Sequence, residues 1–132
     1  MKGDNKTDKK YIKSPLNYVG GKYKILPQII PLMPKEIDLF IDLFGGGFNV
    51  GVNTFAKKIY YNDLCYQVSY LLKTLYEESL EDSLKIIDEL IDTYKLSKTN
   101  RAGFLRLRDK FNEEVKAGLH DMYKFYVLIC YA

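Results

Sequence analysis

Hydrophobic positions follow two different rhythms along this chain. Up to about residue 63 they fall in short runs separated by glycine, proline and polar clusters, and from Leu64 onward they recur at helical spacing. Leu39–Leu43, apolar apart from Asp42, reads as a buried strand. Lys58-Ile-Tyr-Tyr-Asn-Asp63 is rich in β-formers and reads as the next strand, with Asn49–Lys57 as the helix between them. Upstream, Ile25, Leu26, Ile29, Ile30 and Met33 have helical spacing across Tyr23–Met33. Pro27 is tolerable there only in the first turn, and Pro31 and Pro34 should end the helix. Downstream, Leu64–Glu77 is a candidate helix, and Leu80, Leu84, Ile87, Leu90, Ile91 and Tyr94 line one face of the next. Phe104, Leu107, Phe111 and Val115 repeat the pattern over Arg101–Val115, with Lys116-Ala-Gly118 as its stop. The final helix, Asp121–Ala132, differs because Phe125-Tyr-Val-Leu-Ile-Cys-Tyr-Ala132 is apolar on every side. Such a helix needs cover all round, so the segment reads as the place where a longer protein has been cut, and its exposure as a cause of association.

Composition adds bounds to this pattern. A chain of 132 residues, 47% hydrophobic and 28% charged, can bury one core and has the make-up of an ordinary soluble protein. The net charge of +3 is unevenly placed, since residues 1–24 carry seven lysines against Asp4 and Asp8. A basic arm of this kind can touch phosphates. Residues 1–13 lack any periodicity, however, and read as a solvated, disordered basic tail. Cys65, Cys130 and a single histidine, His120, are too few and too far apart for a structural zinc site, and they fit a reducing cytoplasm. No apolar stretch follows the first residues as in a signal peptide, and Phe125–Ala132 is too short to span a bilayer. The expectation is a cytoplasmic protein with no membrane contact.

Candidate chemistry gathers around Phe40-Ile-Asp-Leu-Phe-Gly-Gly-Gly47. A strand that ends in a carboxylate and a glycine turn delivers a nucleoside to its carboxyl end, where glycines let the backbone approach closely. Asp63 closes the second strand and can accept both hydroxyls of a ribose. With equal weight, the same residues describe a glycine turn and an Asp that caps the following helix. The dinucleotide fingerprint fails because Val50 stands where its third glycine belongs, which counts against a nicotinamide oxidoreductase. Asn17-Tyr-Val-Gly-Gly-Lys22 tips the balance towards a ligand. Tyr18 can stack on an adenine or attract a sulfonium, and Lys22 can neutralise a carboxylate. Adenine, ribose, sulfonium and carboxylate are the parts of S-adenosylmethionine. Lys22 lacks the spacing of a phosphate-cradling loop. Lys98, Arg101, Arg106, Arg108 and Lys110 form a basic cluster that could meet phosphates, but interleaved Asp109, Glu113 and Glu114 favour a solvated face. His120 reads as a surface or capping residue.

Three of these segments, Pro15-Leu-Asn-Tyr-Val-Gly-Gly-Lys22, Phe40-Ile-Asp-Leu-Phe-Gly-Gly-Gly47 and Tyr61-Asn-Asp-Leu64, resemble successive motifs of Dam-type DNA adenine N6-methyltransferases. Phe104-Leu-Arg-Leu-Arg-Asp-Lys-Phe-Asn112 is similar to a helix that follows in that family, and Tyr94-Lys-Leu-Ser-Lys-Thr99 to its phage members. The resemblance runs over residues 14–132 in the family's order. It implies an α/β chain with a partial Rossmann-like S-adenosylmethionine-dependent methyltransferase fold, followed by a helical subdomain. Residues 1–13 would be the tail, 14–79 the cofactor-binding part, and 80–132 the helical part of the DNA-recognition subdomain.

By the same resemblance Tyr18 and Lys22 would contact S-adenosylmethionine, while Phe44, Gly45 and Gly47 would floor its pocket. Asp42 would orient the methionine end and Asp63 would hold the ribose. The partner of the full-length protein would be double-stranded DNA, and the source bacterial or phage. The family transfers its methyl group with an Asp-Pro-Pro-Tyr loop acting on an extruded adenine. With prolines only at positions 15, 27, 31 and 34, that loop has no counterpart downstream of the glycine loop. The expectation is therefore a site-specific adenine methyltransferase fragment that is inactive alone. The alternative is a non-catalytic module that binds S-adenosylmethionine or DNA.

Overall fold

Two strands pair at the front of the chain. In the computed structural model, which describes residues 11–132, β1 (Leu39–Asp42) runs parallel to β2 (Lys58–Tyr61), with Leu39 opposite Lys58 and Asp42 opposite Tyr61. Ten of the residues expected in the basic tail, 1–10, lie outside the described residues. Both strands are half-buried in alternation. Phe40, Asp42, Ile59 and Tyr61 face inward, while Leu39, Ile41, Lys58 and Tyr60 are exposed. The expectation of a buried β1 is thus corrected, because nothing among the described residues covers the outer face of the pair.

A parallel pair needs a crossover connection, and here the crossover is not the expected helix over Asn49–Lys57. Only one 3-10 turn, Gly51–Asn53, forms there. Side chains take over the bonds that helical N–H groups would make. Asn53 donates to the Asn49 carbonyl and Thr54 to the Val50 carbonyl, each at 2.8 Å, and Thr54 turns extended at ψ 130°. Tyr23–Met33 is likewise broken. A 3-10 turn at Tyr23–Ile25 leads into α1 (Leu26–Ile29) and then a second 3-10 turn at Ile30–Leu32. Pro31 has no N–H to bond back to the preceding turn, so α1 stops after four residues.

The remainder is helical as the periodicity predicts, with α2 (Tyr66–Glu77), α3 (Leu80–Tyr94), α4 (Arg101–Lys116) and α5 (Met122–Tyr131). Short polar side chains start three of them by accepting first-turn N–H groups. Ser79 accepts from Asp82, Asn100 from Gly103, and Asp121 from both Tyr123 and Lys124. Gly118, at φ 80°, stops α4 as the Leu119 N–H returns to the Glu114 carbonyl at 2.8 Å.

Helix α5 packs against α2, α3 and α4. Its Met122 joins Leu16, Val68 and Leu71 in one apolar cluster, and its Val127 joins Leu96 and Leu107 in a second. Buried Tyr123 shares a hydrogen bond with Ser83 of α3 at 2.9 Å. Along α5 only Cys130 is exposed. The cover that an all-round apolar helix demands therefore comes from within the chain, which corrects the expectation that Phe125–Ala132 is laid bare. On α3, Leu80 and Leu84 are exposed, so only the C-terminal half of its apolar face is packed. The whole is an α/β structure with a small parallel sheet. No helix of the described residues is long and apolar enough to cross a membrane.

Candidate functional site

β1 and β2 end side by side, and the chain leaving each of them builds the site. The ladder runs one step past the strands: Asn62 donates to the Asp42 carbonyl and Gly45 to the Asn62 carbonyl, both at 2.9 Å. This draws the triple glycine against the end of β2. A Cβ at Gly45 would collide with the Tyr61 ring, and Gly46 adopts φ 49°, so neither position accommodates a side chain without strain. The Tyr61 hydroxyl donates to the Gly46 carbonyl at 2.7 Å. Burial, and then the charge of Asp63, push the Tyr61 phenol above its usual range, so it stays a donor.

Asp63 grips the loop from the other side. One of its oxygens accepts the Gly46 N–H and the other the Cys65 N–H, each at 2.9 Å. The carboxylate thus serves both the glycine loop and the turn into α2. Each oxygen still has a lone pair to offer. Asp42, half-buried at the end of β1, accepts the Gly51 N–H at 3.1 Å. Burial raises its pKa, the Gly51 bond opposes that rise, and the neighbouring charge of Asp63 adds to it.

The opposite wall is a tight turn. Gly21 donates to the Tyr18 carbonyl at 3.2 Å, with Gly20 at φ 76°, the sign a type II turn requires at its third residue. The Tyr18 ring lies against Gly46, and burial, then Asp63 and Cys65, hold its phenol above the ordinary value. Lys22 is exposed, with its ammonium donating to the Gly20 carbonyl at 2.8 Å.

All seven residues singled out from the sequence, Tyr18, Lys22, Asp42, Phe44, Gly45, Gly47 and Asp63, line one cleft of about 120 Å³. Phe44 stands at its rim, 86% exposed, and the glycines make the floor. The cleft is smaller than the several hundred Å³ typical of a nucleoside-sized site, so it encloses only part of such a ligand. A larger apolar cleft of about 560 Å³ lies between residues 12–15 and the 72–76 turn of α2, sharing only Gly47 with the first.

Chemically, the smaller cleft brings two carboxylates, two aromatic rings and one exposed ammonium around a backbone floor. A cation placed there meets Asp42, Asp63 and the Tyr18 ring, whereas a diphosphate would face two carboxylates. The basic cluster, with Lys98 before α4 and the rest on it, lies outside the cleft and is partly paired: Arg108 with Asp109 at 2.7 Å and Lys110 with Glu114 at 3.9 Å. His120 packs edge-on against Tyr66, away from the cleft.

The residues around the site that the sequence did not flag are Tyr61, Asn49 and Asn53. Tyr61 reads there only as a β-former and as the first residue of a family-like motif, with no role in the cleft. The two asparagines sit four apart inside what looks like a helix, and their spacing is the one signal they leave.

Two parallel strands thus end together at a cleft formed by a glycine loop, two carboxylates and an aromatic turn, in an α/β chain. The sequence model of the D12 class N6 adenine-specific DNA methyltransferases matches residues 18–132, and the chain belongs to that family. It is 47% identical over 130 residues to the Type II methyltransferase M.FokI of Planomicrobium okeanokoites, a match covering 98% of this chain and 19% of that protein. It is 48% identical over 104 residues to the modification methylase StsI of Streptococcus sanguinis, covering 79% of this chain and 16% of the relative. It is 36% identical over 103 residues to the modification methylase LlaI of Lactococcus lactis subsp. lactis, covering 77% and 17%. The chain therefore spans less than a fifth of the length of these curated relatives.

Proposed function

We propose that these residues form the S-adenosylmethionine-binding part of a site-specific DNA adenine methyltransferase of a restriction–modification system, acting on double-stranded DNA in the bacterial or phage-infected cytoplasm. The observation that carries this reading is the convergence of Tyr18, Lys22, Asp42 and Asp63 on one glycine-floored cleft. Asp63 would accept the ribose hydroxyls through its remaining lone pairs, and Asp42 would face the ammonium of the methionine end. Tyr18 would offer its ring face to the sulfonium or adenine, and Lys22 would swing from the Gly20 carbonyl to the carboxylate. The bound cofactor would supply the methyl group. The parallel pair and its glycine turn would then be the start of a Rossmann-like sheet, with helices α3 to α5 serving DNA recognition.

Transfer itself needs groups that accept the amine's protons, and the 132 residues contain no Asp-Pro-Pro-Tyr. That favours a binding role without turnover for these residues taken alone. Calorimetric titration of the full-length protein with S-adenosylhomocysteine tests the reading, and a saturable heat that Asp63→Ala abolishes is expected. Absence of heat at millimolar ligand would sink it. Methyl transfer to DNA by the 132 residues alone would instead overturn the non-catalytic role assigned to them.

A further inference from the structure

The two walls of the cleft come from distant parts of the sequence, and two asparagines join them. Asn49, only 6% exposed, accepts the Ser14 N–H through Oδ1 at 3.0 Å, with its Nδ2 beside Gly21 and Gly47. Four residues on, Asn53 accepts the Ile12 N–H and donates to the Ile12 carbonyl, both at 2.7 Å, as a neighbouring strand would. The same Nδ2 donates to the Asn49 carbonyl at 2.8 Å, so the Asn53 side chain also braces the backbone of Asn49. Ser14 Oγ then accepts the Leu16 N–H at 3.0 Å, and Leu16 is held in the apolar cluster with Val68, Leu71 and Met122. Segment 12–16 is thereby fixed at three points, and Tyr18 and its turn follow directly from it.

We infer that Asn53 and Asn49 are positioning residues that hold the Tyr18–Lys22 wall against the glycine loop and so set the affinity of the cleft. The inference rests on the cofactor reading of that cleft. Asn53 is the cleaner of the two, because it does not line the cleft. Removing its amide abandons three hydrogen bonds, and segment 12–16 loses the partner that spaces it from the crossover. Tyr18 then moves relative to Gly46 without any ligand contact having been deleted.

The test is a double-mutant cycle on S-adenosylhomocysteine affinity in the full-length protein, with Asn53→Ala and Tyr18→Ala made singly and together. A positioning role predicts that Asn53→Ala weakens binding on the order of tenfold. It also predicts that the double variant loses less than the sum of the two single losses, because much of the effect runs through the Tyr18 ring on that wall. Unchanged affinity in Asn53→Ala, or additive losses in the double variant, would overturn it. Hydrogen exchange of ligand-free protein provides the independent arm. Asn53→Ala should speed exchange at residues 12–16 while α4 keeps its protection, which also shows that the variant folds. If wild type binds no S-adenosylhomocysteine, the cofactor reading fails alone and the exchange arm decides the positioning role. Unchanged exchange at 12–16 refutes that role whatever the ligand.

Discussion

Asp42 is half-buried where β1 meets the glycine loop, and its pKa is raised by burial first, with Asp63 adding to the rise and the Gly51 N–H opposing it. Above the raised value the folded protein carries a carboxylate it would sooner keep protonated, a cost absent from the unfolded chain. Asp42→Asn removes that cost and keeps an oxygen for Gly51. The variant should be as stable as wild type or more stable at pH 7 in urea unfolding. Its advantage should vanish as the pH falls through the raised pKa and below the ordinary 3.8, because both proteins are then neutral at this position. If the cofactor reading holds, the same variant binds S-adenosylhomocysteine more weakly. Loss of stability at pH 7 would show that the charge, and not only the oxygen, is needed by Gly51. That the seven residues share one cleft was legible for Tyr18, Lys22 and Asp63 from residue chemistry beside glycine turns and a strand end, and for Asp42, Phe44, Gly45 and Gly47 from the family resemblance of their motif. Asn49 and Asn53 stayed hidden because an amide that binds backbone announces nothing about which backbone, and Ile12 is 41 residues away from Asn53.

At the level of elements, an unbroken apolar run located α5, and periodicity located both strands and helices α2 to α4, since each buries one face with a fixed repeat. It failed at Asn49–Lys57, where side-chain bonds to carbonyls replace the helix, and at Tyr23–Met33, where two prolines divide one helical pattern into three short pieces. The junction of α4 and α5 carries the best-placed ion pair. Lys124 donates to both oxygens of Glu114 at 2.7 Å and lies 3.4 Å from Asp121, with Lys124 and Glu114 each 15% exposed. Burial works to lower the Lys124 pKa, but the Glu114 bond and the Asp121 charge outweigh it, and the net direction is up. Lys124→Met should cost about 1–3 kcal/mol at pH 7, since it strands a shielded Glu114. A folded-state pKa above the unfolded value means the contribution is full below 10.5 and disappears as the pH rises through the folded value. Chemical unfolding of both proteins at neutral and alkaline pH checks this, and a difference that persists at high pH would contradict it.

For the whole molecule, exposed large apolar side chains lie on the sheet and at scattered positions such as Val19, Leu32, Phe55, Leu64 and Leu80, and not on the last helix. Leu39, Ile41 and Tyr60 share the open face of a two-stranded pair whose outer edges are also unpaired among the described residues. The 132-residue chain should self-associate through this face at micromolar concentration in sedimentation velocity, and Leu39→Lys with Ile41→Lys should shift it towards monomer. Unaltered association in that variant would return the cause to another surface. Val127→Lys, by contrast, should unfold the helical part without any gain in solubility, because Val127 is 1% exposed. The central place of α5 has a bearing on how the protein is made. Leu16 near the front of the chain completes its cluster only when Met122 arrives. At ribosomal speeds of roughly 5–20 residues per second, the N-terminal wall, bonded to Asn49 and Asn53 but with its apolar cluster incomplete, must wait on the order of seconds for a partner synthesised more than a hundred residues later. That interval is the window in which nascent-chain proteases and chaperones would find this protein most open.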